Sequence, residues 1–472
     1  MRYIADFHLH SKYSRATSRQ MDLEHLDQWA RIKGIQILGT GDFTHPLWFN
    51  ELKEKLTPIA NGIYQLKSLQ PATRFILTTE ISCIYSKNNK VRRIHLVVFA
   101  PNLETAERIN QKLGEKYNLR SDGRPILGLD AKELTKILLD ISSDCLIVPA
   151  HAWTPWYSIF GSKSGFNSVE ECFEEMTPHI YALETGLSSD PPMNWRWSYL
   201  DKYTLISNSD AHSPENLGRE ANVFEFAKDP NYSDIIGAIK DNALIQSQSA
   251  PASPTSPASP SGGPSGRSSP RKSLSKNISV NQRSNLPKSA FIGTIEFFPE
   301  EGKYHFDGHR ECGVRFSPAE TKKQKGICPK CHRPLTIGVM YRVEELADRS
   351  ESRKPIGAPD FKSLIPLKEI LSEVFGQSKI SKIVEIEYQN LIKKGGSEFN
   401  ILIDLSEEEL SKITQAKIVE AILKMRRGEV FRQPGYDGVY GQIKIFQSST
   451  NYESKYKYTN KQSKKSRQAS LF

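Results

Sequence analysis

Residues 1–245 predict an α/β fold, a β/α barrel of incomplete or distorted form, on two observations. Short apolar runs of strand character alternate with segments whose apolar positions recur at helical spacing, the pattern of a parallel sheet or barrel. Histidine and carboxylate side chains stand at the ends of those runs, and barrels of this type gather their chemistry at one mouth formed by strand ends. The candidate strands are Tyr3-Ile4-Ala5, Ile35-Gln36-Ile37-Leu38, Phe75-Ile76-Leu77, His95-Leu96-Val97-Val98-Phe99, Leu146-Ile147-Val148 and Leu205-Ile206. Leu23–Ala30 and Ala131–Leu139 carry the helical spacing, the second with Asp130 placed as an N-cap. About seven strand candidates favour a closed barrel over an open sheet.

The strand ends carry the chemistry. His8 and His10 follow the first run, Asp42 and His45 the second, and Glu80 the third. His95 opens its run, His151 follows the next, and Asp210 with His212 closes the series. Imidazoles and carboxylates in this number suit several divalent ions rather than one. Such a centre supplies an activated water and neutralises charge on a phosphoryl group. Glu80 and Asp210 are the carboxylates expected to bridge ions, and with His151 they form the expected catalytic set. Asp6, two residues before His8, reads as a strand-end partner rather than a ligand.

Beyond residue 245 the composition changes. Residues 246–290 are rich in Ser, Pro and Gly and almost free of large apolar groups, which predicts a disordered basic linker. Residues 291–350 hold a Cys/His module in which His309-x-x-Cys312 and Cys328-x-x-Cys331 have the spacing of a tetrahedral structural zinc site, with His305 competing for the fourth position. Residues 351–447 are mostly of helical pattern, and 448–472 form a basic tail. Cys83, Cys145 and Cys172 stand apart in apolar surroundings, as buried thiols in a reducing cytosol would. No apolar run approaches a membrane span, and the start runs directly into a strand.

The net charge of +10 is unevenly spread: Ser247–Ala290 has six basic and no acidic residues, and Asn451–Phe472 has six basic and one acidic. Those two stretches hold the whole excess, so the cationic charge sits on tethers suited to capturing a polyanion. Trp153, Trp156, Tyr157 and Phe160 follow His151 closely and are candidates to stack on DNA bases, while Lys163, Arg196 and Arg219 are candidates for phosphates. No Gly-x-x-x-x-Gly-Lys-Ser/Thr loop occurs, which disfavours a nucleotide-driven motor.

The front motifs His8-Leu9-His10-Ser11, Gly41-Asp42, Glu80, His95, Pro149-Ala150-His151 and Ser209-Asp210-Ala211-His212 resemble the PHP family, named for polymerase and histidinol phosphatase domains. That resemblance implies a distorted (β/α)7 barrel holding two or three ions of zinc, manganese or magnesium. Two departures concern one ion position: Phe43 follows Asp42 where many members have histidine, and Tyr13-Ser14-Arg15-Ala16 lacks a further histidine. The order of barrel, zinc module and helical region resembles endonuclease Q in particular, through His151-Ala152-Trp153-Thr154-Pro155-Trp156, Phe160–Phe166, His305–Arg310 and Thr336-Ile337-Gly338-Val339. The likeness implies nicking of double-stranded DNA on the 5′ side of hypoxanthine, uracil, xanthine or an abasic site, with the damaged base flipped out. The ending Gln468-Ala469-Ser470-Leu471-Phe472 resembles the peptide that binds the bacterial β sliding clamp, Leu471 and Phe472 filling a pocket and Gln468 bonding its rim. The expected protein is a cytoplasmic, nucleoid-associated monomer with no membrane partner. A small-molecule phosphatase and a non-catalytic DNA-binding protein are the competing readings.

Overall fold

The computed structural model describes residues 1–67, 73–249 and 289–446. Its strands are β1 (Arg2–Asp6), β2 (Ile37–Gly39), β3 (Leu56–Ala60), β4 (Ile63–Leu66), β5 (Arg74–Lys87), β6 (Lys90–Ala100), β7 (Ile126–Leu127) and β8 (Leu146–Pro149). β9 (Ala182–Glu184), β10 (Thr204–Ile206), β11 (Ala221–Phe226) and β12 (Ser289–Glu296) follow. β1, β2 and β5 are parallel neighbours, and β9 is parallel to β10. Ala152 N–H donates to Glu184 O at 2.9 Å, joining the end of β8 to β9, and His10 N–H donates to Ala211 O at 3.0 Å, joining the segment after β10 to that after β1. These contacts bring the segments that follow β1, β8 and β10 together at one mouth.

The sheet is mixed rather than uniformly parallel. β6 runs antiparallel to both β5 and β8. His95 on β6 and Glu80 on β5 both lie midway along their strands. β5 and β6 form one long hairpin, in which His95 pairs with Ser82, two rungs from Glu80 and its partner Val97.

The linker and module boundaries shift. The helix Tyr232–Ser249 continues past residue 245. The strand-like run at 291–298 belongs to the main sheet: β12 pairs antiparallel with β11 and parallel with β15 (Asp360–Ser363), after the small hairpin of β13 (Asp307–His309) and β14 (Val314–Phe316). β11 covers the outer edge of β1, and β12 covers β11 in turn, which removes an open sheet edge. Phe291 packs there with Phe224, Phe226 and Tyr232. Residues 250–288 of the expected linker lie outside the described residues.

Local chemistry explains the helices that brace the mouth. Asp22 caps Leu23–Lys33 by accepting from His25 N–H at 3.0 Å, and Gly34 ends it at φ 86°. Leu23, Leu26 and Ala30 form its buried stripe. Asp130 caps Ala131–Ile141 as its position suggests, accepting from Lys132 N–H at 2.8 Å.

Of the C-terminal helices Leu367–Phe375, Lys382–Gly395, Glu407–Ile413 and Ala416–Arg426, the first reaches the helix Leu23–Lys33, with Lys368 Nζ 5.6 Å from the Trp29 ring. Lys33 Nζ lies 2.8 Å from Glu398 Oε2, both side chains nearly water-free. Tyr388 Oη and Leu367 N–H also donate to Glu398. Burial would raise the Glu398 pKa, but the Lys33 ammonium outweighs it and holds the carboxyl below its usual range. A lowered folded value stabilises the contact above the ordinary carboxylate range, and the contribution is lost as pH falls through that lowered value. Glu398→Ala should cost about 3–5 kcal/mol by stranding Lys33, read as a shift in the urea midpoint at neutral pH that narrows in acid.

Candidate metal centre

Two groups of donor atoms meet at the mouth and share one carboxylate. His8, His10, Glu80 and Asp210 form the first group, and Glu80, His95 and His151 the second; within each group the donor atoms lie within 4.8 Å of one another. Glu80 is the joint. Its Oε1 lies 2.6 Å from His95 Nδ1 and 3.1 Å from His151 Nε2. Its Oε2 lies 3.2 Å from His10 Nε2 and 3.5 Å from His8 Nε2. Asp210 Oδ1 completes the first group at 3.0 Å from His10 Nε2 and 3.5 Å from His8 Nε2. Each oxygen of a buried carboxylate thus addresses a different set of imidazoles, the geometry of a bridging ligand.

The donors fit divalent cations. His8 Nε2 is buried without a hydrogen-bond partner while facing two carboxylate oxygens. Burial lowers the pKa of His8, yet Glu184, Glu80 and Asp210 raise it well above its usual value. At His10 burial is likewise outweighed, chiefly by Asp42. These rings sit in negative surroundings that call for positive charge. His95 goes the other way, to about 4, because burial outweighs its attraction to Glu80. Burial also acts against ionised Glu80 and Asp210, but His95, Arg124 and His8 around Glu80 and the imidazoles around Asp210 hold both well below the usual range.

Carboxylates behind the donors fix their rings. Glu184 Oε1 and Oε2 each lie 3.0 Å from His8 Nδ1, and Glu184 also accepts from His151 N–H and from Asn208 Nδ2, both at 2.8 Å. Asp42 does the same for His10 from 3.1 Å, which corrects its assignment as a ligand. Its other oxygen accepts from Ser11 N–H at 2.6 Å, Ser11 Oγ at 2.7 Å and Ser14 Oγ at 2.8 Å, so it has no face left for an ion. Such carboxylate–imidazole pairs set the tautomer and raise the basicity of the ligating nitrogen.

His45 also lies outside both donor groups. It stands at the N-cap of Pro46–Lys55, its ring is stacked 4.5 Å from Tyr13, and Nε2 lies 3.3 Å from Arg120 O. His212 packs 4.5 Å from the His10 ring and falls outside both donor groups, with its Nδ1 2.8 Å from the carbonyl of Asp210. Asp6 holds the segment that carries Asp210, accepting from Ser209 N–H at 3.1 Å, Ser209 Oγ at 2.6 Å and Gly218 N–H at 2.9 Å.

The backbone is strained where the site is built. Asp42, His151 and Asp210 have φ of 47°, 31° and 48°, a region costly for residues with a Cβ and concentrated at functional sites. Gly186, at φ 62°, lets His151 sit against it, since a Cβ there would fall 2.6 Å from that of His151.

Two residues at the site escaped the sequence reading. Glu184 ends the short apolar run Tyr181-Ala182-Leu183, a signal of the kind used elsewhere, but over so few residues it does not stand out. Arg124, whose Nη1 donates to Glu80 Oε2 at 3.1 Å, lies in a turn with no periodic signal.

The aromatic loop after His151 divides by burial. Trp153 is fully buried, donates from Nε1 to Asn194 Oδ1 at 2.8 Å and packs on Phe160 and Trp197, so it is core and not a DNA contact. Tyr157 is half-buried with its ring 4.7 Å from that of His95, and Trp156 is half-buried against Tyr304 at 5.4 Å. Lys163 is exposed. Arg196 is engaged with Glu344 at 2.5 Å and Arg219 with Glu369 at 3.0 Å, so both tie the mouth to the later helices instead of offering free charge. Trp153→Ala should destabilise the fold by about 3–5 kcal/mol, whereas Trp156→Ala should leave the thermal midpoint within a few degrees; melting curves separate the two.

His309, Cys312, Cys328 and Cys331 come together with donor atoms within 4.8 Å, and His305 stands outside the group. His309 ends β13 beside Cys312, and its Nδ1 lies 3.4 Å from Cys331 Sγ. In the knuckle, His332 N–H donates to Cys328 O at 2.9 Å, with His332 at φ 60° in the place where glycine is usual. Burial raises the Cys328 pKa, but the N–H groups of Cys331 and Lys330 outweigh it and bring the thiol to about 7, favouring a thiolate. The terminal residues Gln468, Leu471 and Phe472 lie outside the described residues. Among the described residues, no helix is long and apolar enough to cross a membrane.

Residues 366–429 match the family described as the MJ0043 C-terminal domain. An uncharacterised protein of Methanocaldococcus jannaschii, MJ0043, is 32% identical over 62% of the chain, and the chain spans 31% of that relative's length. YqxK of Bacillus subtilis, also uncharacterised, is 27% identical over 87% of the chain and 89% of its own length. Among solved structures, the lesion-specific endonuclease PfuEndoQ of Pyrococcus furiosus superposes with a TM-score of 0.76 at 29% identity, covering 94% of this chain and 96% of its own. An endonuclease Q in complex with a 27-mer duplex bearing an abasic lesion at the active site superposes with a TM-score of 0.75, also at 29% identity, over 95% of this chain and 97% of its own.

Proposed function

The chain belongs to the endonuclease Q family, and on that footing we propose that it is a lesion-specific DNA repair endonuclease that hydrolyses the phosphodiester on the 5′ side of a damaged nucleotide. The observation that carries this reading is the pair of donor groups joined by Glu80 at the mouth of a distorted barrel. His8, His10, Glu80 and Asp210 would hold one divalent ion, and Glu80, His95 and His151 a second. Zinc, manganese or magnesium, when bound, supplies an activated water and neutralises charge on the phosphoryl oxygens.

The protein's own groups do the rest. Glu184 and Asp42 keep His8 and His10 oriented with Nε2 toward the mouth. Asp210 and Glu80 stay ionised and present fixed negative charge, and Asp6 restrains the backbone of the loop that carries Asp210. Tyr157 beside His95 and Trp156 beside Tyr304 would stack on bases opened from the duplex, with Lys163 near the phosphates. Deaminated bases (hypoxanthine, uracil, xanthine) and abasic sites are the proposed lesions, read with the nucleotide out of the stack, where its edge is accessible. His309, Cys312, Cys328 and Cys331 would hold a structural zinc. The C-terminal Gln468, Leu471 and Phe472 would bind a β sliding clamp.

A direct test offers end-labelled duplexes with a single uracil, hypoxanthine or abasic site, alongside p-nitrophenyl phosphate, with each divalent ion in turn. Lesion-dependent nicking is expected. Turnover of the small ester alone would favour a phosphatase and overturn the reading.

A further inference from the structure

We propose that Arg124 is a catalytic residue that contacts a non-bridging oxygen of the scissile phosphodiester, a role that rests on the nuclease reading above. The turn Asp122-Gly123-Arg124-Pro125 is built to hold this side chain in one place. Asp122 Oδ1 accepts from the N–H groups of Arg15 and Arg124, both at 3.2 Å. Gly123 N–H donates to Tyr13 O at 3.1 Å, and Ser82 N–H donates to Pro125 O at 3.0 Å, so the turn is fastened on both flanks. No other residue fits at 123, because a Cβ there would fall 2.2 Å from Asp42 Oδ2. β7 then pairs with β5 at Ser82 and Cys83, directly after Glu80.

This fastened turn delivers a permanently charged guanidinium to the oxygen of Glu80 that also faces His8 and His10. Arg124 keeps 23% of its side chain exposed, whereas Glu80 beneath it is inaccessible. Among the described residues its one ion pair is with Glu80, so the planar fork retains N–H groups for a second anion. A fixed cation beside donors that themselves gather divalent cations is electrostatically costly until an anion arrives between them. A phosphodiester supplies that charge, and its paired oxygens suit the guanidinium fork better than an ammonium point charge.

The test compares wild type, Arg124→Ala and Arg124→Lys in single-turnover nicking of a duplex with one abasic site. The same duplex is also prepared with a methylphosphonate at the scissile position, which removes one non-bridging charge. Arg124→Ala should lower the nicking rate about 100-fold, with Arg124→Lys recovering part of it. Duplex affinity by fluorescence anisotropy and bound-metal content should change less than about threefold. The penalty of Arg124→Ala should shrink to about threefold or less on the methylphosphonate duplex, since the contacted charge is gone. An undiminished penalty on that duplex, or loss of bound metal from Arg124→Ala, would assign the residue to organising Glu80 and overturn the inference. Failure of the wild type to nick at all would instead count against the nuclease reading.

Discussion

Glu80→Gln should reduce lesion-dependent nicking by about a thousandfold or more, the largest effect expected of any single substitution. Glu80 is the one side chain common to both donor groups, and its two oxygens serve different imidazole sets. The amide keeps the shape but removes the charge and turns half of the bridge into a donor facing ring nitrogens. Bound-metal content should fall in parallel, because both groups lose an anionic ligand. Retention of full metal content with activity within tenfold of wild type would contradict the bridging role. Asp42→Asn should be milder, about 10–100-fold, since Asp42 acts through His10 and not on an ion.

Removing the zinc-module ligands should produce the second large effect. The apolar cluster inside the module consists of Val314, Cys328 and Leu335, far too little to fold a segment of this length unaided. A bound structural zinc contributes on the order of 10–16 kcal/mol to such folds. Cys328→Ala, or treatment with a strong chelator, should therefore unfold residues 303–345 while leaving the main sheet intact, read as local loss of hydrogen-exchange protection. The consequence reaches the mouth. Met340 N–H donates to His305 O, which fastens the helix Val339–Leu346 to the module, and Arg342 on that helix donates to Phe160 O, Phe166 O and Asn167 Oδ1. The aromatic loop after His151 is thus held from the module side, and nicking should fall about tenfold or more in the same variant. Unchanged protection across 303–345 would refute a metal-dependent fold.

How much of this was legible in the sequence follows from what side-chain periodicity encodes. Alternation of apolar runs with helical segments pointed to the α/β class, and ligand types at run ends singled out His8, His10, Glu80, His95, His151 and Asp210, which the fold brings together in two donor groups. Spacing alone could not separate Asp42 from a ligand: a carboxylate that orients an imidazole occupies the same strand end as one that binds an ion. His45 fails for a related reason, lying one turn farther on and capping a helix instead. Strand direction was also hidden, since the antiparallel β6 reads in sequence like its parallel neighbours. Trp153 and Trp156 are three residues apart and chemically identical, and only tertiary packing makes the first core and the second half-exposed. His309 prevails over His305 because it ends a hairpin strand next to Cys312, a relation that spacing leaves open.

At the Glu80-joined centre, water is expected to attack a phosphodiester beside a lesion. A duplex carrying one abasic site, labelled on both ends of the damaged strand, tests it in a single-turnover reaction mapped at nucleotide resolution in 18O-enriched water. The predicted result is one incision immediately 5′ to the lesion, with a single 18O on the cleaved phosphate, abolished in Glu80→Gln and absent on the undamaged duplex. Equal cutting of undamaged DNA, or release of terminal phosphate with no internal incision, would contradict it.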